Sequence, residues 1–113
     1  MEQNLHPVLS VRLFTDEKCF GPGVAALLTL VKTCHSLRAA AMEMGMAYSK
    51  AMKLVRHAEA ALGFPLTQRT VGGASGGGSC LTPQGKEWMS RYGAYRDACA
   101  DANRQLYLEF FPG

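Results

Sequence analysis

The sequence predicts a mainly α-helical domain with a small β component. Three observations carry this. Apolar residues recur at helical spacing through residues 24–62, with capping residues at the breaks. Two short β-prone stretches flank a run in which five of the twelve glycines fall within residues 72–78. A long final segment opens on Thr82-Pro83 and keeps a seven-residue apolar repeat.

His6 to Lys18 reads as an N-terminal strand, because Leu9, Val11 and Leu13 alternate among β-branched and aromatic neighbours. Cys19-Phe20-Gly21-Pro22-Gly23 reads as a break. Val24 to about His35 is expected to be a buried helix, with Leu27, Leu28, Leu30 and Val31 on a wide apolar face. Ser36 suits the N-cap of a second helix, Leu37 to Met44, and Gly45 suits the left-handed residue that ends it.

A third helix is expected from Ala47 to Leu62. Ala51, Val55, Ala58 and Leu62 make its core stripe, while Lys50, Lys53 and His57 fall on another face. Gly63 and Pro65 end it. Two helices joined through Gly45 match a helix-turn-helix, with Tyr48-Ser49-Lys50 at the groove-facing end of the second. Leu66–Val71 and Ser79–Leu81 then read as a two-stranded wing. Its glycine tip can approach a sugar-phosphate backbone and offers Ser75 as a donor.

The last helix is expected to run from Pro83 to about Leu108, with Gly85 weakening its first turn. Trp88, Tyr92, Tyr95, Cys99, Ala102 and Leu106 form its stripe. The stripe either packs on the domain's own core or pairs with a second copy; it is longer than a small core requires, so pairing is expected. The whole chain reads as one domain, 1–113: a leader over 1–20, the helix-turn-helix and wing over 21–81, and a dimer helix over 82–108.

Composition narrows the function. With 113 residues, 48% of them hydrophobic, the chain is ordinary globular material, too short for a separate substrate domain. No apolar run approaches the roughly 18 residues of a membrane span, and no signal peptide is visible, so a cytoplasmic protein is expected. Net charge is only +3, yet no acidic residue stands between Glu43 and Glu59, where Lys50, Lys53, Arg56 and His57 cluster. A basic segment on a nearly neutral chain points to nucleic acid.

Chemistry is sparse. The histidines are scattered, and no hydrolase or metalloprotease motif occurs. The glycine run lacks both the dinucleotide spacing and the Lys-Ser/Thr of a phosphate loop. Cys19, Cys34, Cys80 and Cys99 contain no C-x-x-C pair, and their spacing does not support a zinc site. No enzyme activity, cofactor or metal is expected.

Specific stretches add a family. They are Gly21-Pro22-Gly23, Ser36-Leu37-Arg38-Ala39-Ala40-Ala41, Gly45-Met46-Ala47-Tyr48-Ser49-Lys50-Ala51, the glycine run 72–78, and Leu81-Thr82-Pro83-Gln84-Gly85. Together they resemble the N-terminal winged helix-turn-helix of ModE-type, molybdate-responsive transcription regulators, related to the LysR-type DNA-binding head. The resemblance implies a homodimer on double-stranded DNA. It implies Tyr48, Ser49, Lys50 and Lys53 on the groove face, Arg69 on the wing, and Ser36 and Arg38 at phosphate. Arg56, further along the helix than base contact requires, is expected at phosphate. Met52 and Ala47 stand where the family usually has Trp and Ser, so known operators are not carried over. Because the sequence lacks the C-terminal ligand domains of the full regulators, molybdate binding is not expected. Two other readings compete: a winged-helix protein-interaction module that has lost DNA binding, and a thiol- or metal-responsive regulator using Cys34, His35 or Cys80.

Overall fold

The computed structural model describes residues 4–71 and 78–113. Its elements run β1 (Leu13–Phe14), β2 (Lys18–Phe20), α1 (Pro22–Cys34), α2 (Leu37–Glu43), α3 (Tyr48–Leu62), β3 (Thr67–Thr70), β4 (Gly78–Leu81) and α4 (Pro83–Phe110). This is the mainly α winged helix expected from the sequence, with two small antiparallel sheets, β1-β2 and β3-β4.

Local chemistry sets the helix ends. Pro22 opens α1, where a missing N–H costs nothing. His35 closes it in the left-handed conformation at φ 60°, its N–H donating to the Val31 carbonyl at 2.8 Å. Ser36 caps α2 as expected, its Oγ accepting from the Ala39 N–H at 3.0 Å. Gly45 at φ +68° and Gly63 at φ +87° supply the left-handed residues after α2 and α3. Val24, Ala25, Leu27, Leu28 and Val31 of α1 pack with Leu37, Ala40 and Ala41 of α2 and Ala51, Val55 and Ala58 of α3. The small residues of α2 and α3 bring the helices close.

The N-terminal region differs from expectation. In place of one strand over His6–Lys18, β1 and β2 form a short hairpin pairing Leu13 with Phe20 and Phe14 with Lys18. Cys19 and Phe20, read from the sequence as a break, are strand residues and buried. The reversal at residues 15–17 has a reason: it turns Phe20 into the core beneath α4. Residues 4–12 take no regular structure.

Phe20 also decides the fate of the α4 stripe. Trp88 packs edge-on against it with ring centroids 5.4 Å apart, and Tyr92 at 4.8 Å. Phe64 adds a third ring beside Trp88. The Tyr92 hydroxyl donates to the Val11 carbonyl at 2.7 Å. Burial pushes this phenol above its ordinary range, against the opposing pull of Arg96 and Arg12. Trp88 and Tyr92 were expected in a dimer stripe, and they belong instead to the chain's own core. Tyr95, Ala102 and Leu106 remain exposed and Cys99 half-buried.

The wing joins α4 at a crowded corner. Thr82 caps α4 by accepting from the Gly85 N–H at 2.8 Å, and its hydroxyl donates to the Pro65 carbonyl at 2.6 Å. A Cβ on Gly85 would overlap the Leu66 carbonyl oxygen, which already accepts from the Thr82 N–H. The sequence makes this glycine look like a weak first turn; the structure makes it a close approach of helix to strand. Gly85→Ala would gain about 1 kcal/mol of helix propensity. The overlap with backbone should outweigh that, leaving a net loss of about 1–3 kcal/mol in denaturant unfolding. A stabilised variant would refute the packing argument.

Candidate nucleic-acid interface

The stripe that buries Ala51, Val55 and Ala58 fixes which side of α3 faces outward. Ser49, Lys50, Lys53, Arg56 and His57 are all exposed on that outer surface. Lys50, Lys53 and Arg56 form no ion pair with a carboxylate among the described residues. Their charge is therefore directed at solvent. His57 is engaged differently, its Nε2 lying 3.1 Å from the Lys18 carbonyl and 3.4 Å from the Glu17 carboxylate. The β1-β2 turn thus places a carboxylate at one end of the basic face, which spacing along α3 alone did not show.

The start of α3 faces α2. Tyr48 is half-buried, and the exposed Arg38 guanidinium lies 4.2 Å from its ring centroid. This contact holds the Arg38 head group beside the first turn of α3. Ser36 is half-buried with its hydroxyl occupied as the α2 cap. The exposed Arg69 stands on β3, opposite Ser79 of β4. Ser75 lies outside the described residues.

Between α3 and the wing lies an open cleft of about 270 Å³, lined in part by Tyr48, Met52, Arg56, Gln68 and Arg69. Glu59 forms part of its wall. Its Oε2 accepts from the backbone N–H groups of Leu66, at 2.8 Å, and Thr67, at 3.3 Å. One carboxylate from the last turns of α3 therefore anchors the first strand of the wing. The sequence reading assigned Glu59 no role; its only signal was an acidic residue on the inner half of a basic helix. A second tie runs from the Ser79 N–H to the His35 carbonyl at 2.9 Å. The wing is held to α3 at one strand and to the end of α1 at the other.

Cys34 and Cys80 are half-buried, and no three His, Cys, Asp or Glu residues converge on one point among the described residues. No helix there is long and apolar enough to cross a membrane.

A helix-turn-helix whose second helix turns unpaired cations outward, with a strand pair tied beside it, defines a DNA-binding transcription regulator. Residues 24–86 match the family described as "Bacterial regulatory helix-turn-helix protein, lysR family", and the chain belongs to that family. It is also similar to the molybdenum-pterin-binding protein MopB of Rhodobacter capsulatus, 38% identical over 69 residues. That match covers 61% of this chain and 26% of the relative, so the chain spans about a quarter of that protein's length. The LysR-related, ModE-like resemblance drawn from the sequence is borne out.

Proposed function

We propose that the chain is a cytoplasmic, sequence-reading regulator that binds double-stranded DNA as a homodimer. The observation that carries this is the outward row of unpaired cations on α3, at the place in a helix-turn-helix where a recognition helix enters the major groove. Lys50, in the first turn, reads base edges, since an ammonium donates to guanine O6 and N7. Ser49 and Tyr48 stand beside it. Lys53 and Arg56 lie further along α3 and meet phosphate. Arg69 and the wing tip with Ser75 meet the neighbouring backbone, and Ser36 and Arg38 touch phosphate from the start of α2. Tyr95, Cys99, Ala102 and Leu106 of α4 face the second copy.

Selection of bound duplexes from a random DNA pool at two salt concentrations tests this reading. The expected outcome is an enriched inverted repeat, half-sites about 10 bp apart or a multiple of it, with affinity falling steeply in salt. Binding without enrichment would reduce the chain to a non-specific DNA protein. No binding at low salt would overturn the proposal in favour of a protein-interaction module.

A further inference from the structure

Among the basic residues exposed on α3, His57 is the one whose ring is fixed by a neighbouring element. It falls on the same face as Lys50 and Lys53, at spacings of three and four, and lies about 10 Å along the helix from Lys50. Its Nε2 faces two groups of the β1-β2 hairpin, the Lys18 carbonyl at 3.1 Å and the Glu17 carboxylate at 3.4 Å. Both groups can only accept a hydrogen bond. The proton of the neutral ring therefore sits on Nε2, and Nδ1 carries a bare lone pair. Nδ1 makes no hydrogen bond among the described residues, and the side chain is 47% exposed.

This arrangement separates the two states of the ring. Neutral, it turns a lone pair to an incoming phosphate oxygen, acceptor against acceptor. Protonated, it offers a charged Nδ1–H, and charge-assisted bonds to phosphate are the strong ones. Nε2–H keeps its place on the hairpin in both states, so the ring need not turn to bind. Histidine is also the side chain whose charge ordinarily changes between about pH 5 and 8.

The charged groups of the two elements that meet here are Asp16, Glu17 and Lys18 on the hairpin and Lys53 and Arg56 on α3. Their charges oppose one another around the ring. A phosphate in contact with Nδ1 adds an anion and tips the balance toward the imidazolium.

Resting on the DNA-binding reading, we propose that His57 is a further phosphate contact, made only by its protonated ring, so that binding of the duplex takes up a proton from solvent. The hairpin is then part of the interface without touching DNA: the Lys18 carbonyl orients the ring, and Glu17 stands as an anion beside the phosphate path.

Because phosphate carries no sequence, an arbitrary duplex of roughly 30 bp serves as the probe. At low salt, wild-type protein should bind it about five- to tenfold more tightly at about pH 6 than at about pH 8. Calorimetry in two buffers of different ionisation enthalpy should show net proton uptake. H57Q stays polar and cannot charge, and should lose most of both effects, the remainder belonging to His6 and His35. H57R should bind at both pH values as the wild type does at the lower one. E17Q should bind about two- to threefold more tightly than wild type at either pH and keep the pH dependence. A pH dependence that survives in H57Q would overturn the assignment while leaving DNA binding standing. Its loss in E17Q would overturn it too, by making the Glu17–His57 pair the titrating unit. No binding of the duplex at either pH would sink the DNA-binding reading itself.

Discussion

Replacing Lys50 and Lys53 together by alanine should leave the fold intact and lower affinity for a selected duplex on the order of 100-fold at moderate salt. Both side chains are exposed and free of described ion-pair partners, so their removal takes nothing from the core. Lysine is also a good helix former, and alanine a better one, so α3 itself is not weakened. The two losses differ in kind. Removing Lys53 should weaken all sequences alike and flatten the salt slope by about one, as loss of one phosphate contact does. Removing Lys50 should in addition relax sequence preference. Titration of each single variant against cognate and random duplexes, at several salt concentrations, separates these effects. If Lys50→Ala weakens both duplexes equally, its base-reading role is wrong.

The largest effect on stability is expected at Phe20. It is fully buried, with Trp88 and Tyr92 packed edge-on against it. Phe20→Ala opens a large cavity and should cost about 3–5 kcal/mol. That is a large fraction of the roughly 5–15 kcal/mol that holds a domain of this size. Denaturant unfolding at fixed protein concentration measures it, concentration being held because association adds apparent stability. A loss below about 1 kcal/mol would mean that the hairpin and α4 are not joined through this ring.

What the sequence disclosed was local. Ser36, Gly45, Gly63 and Thr82 act on their own helix ends, so each was legible from residue type and position alone. Helical period also separated the outward Lys50, Lys53 and Arg56 from the buried Ala51, Val55 and Ala58. What stayed hidden depends on partners far along the chain. Phe20 looked like part of a turn because its neighbours are Gly21 and Pro22, and its burial is set by Trp88 and Tyr92. Glu59 carried no role because its partners, the N–H groups of Leu66 and Thr67, are set by how the wing returns past α3. Two of the six stripe residues, Trp88 and Tyr92, went to the chain's own core for the same reason: a repeat shows that a face is apolar and leaves open what covers it.

The Glu59 carboxylate has a consequence for which DNA can be bound. Because it fastens β3 to α3, and Ser79 fastens β4 to the end of α1, α3 and the strand pair beside it are held at one separation. With α3 in a groove as proposed, accommodation then falls to the duplex. Sequences whose groove width already fits, or whose base steps deform at low cost, gain affinity at positions that no side chain touches.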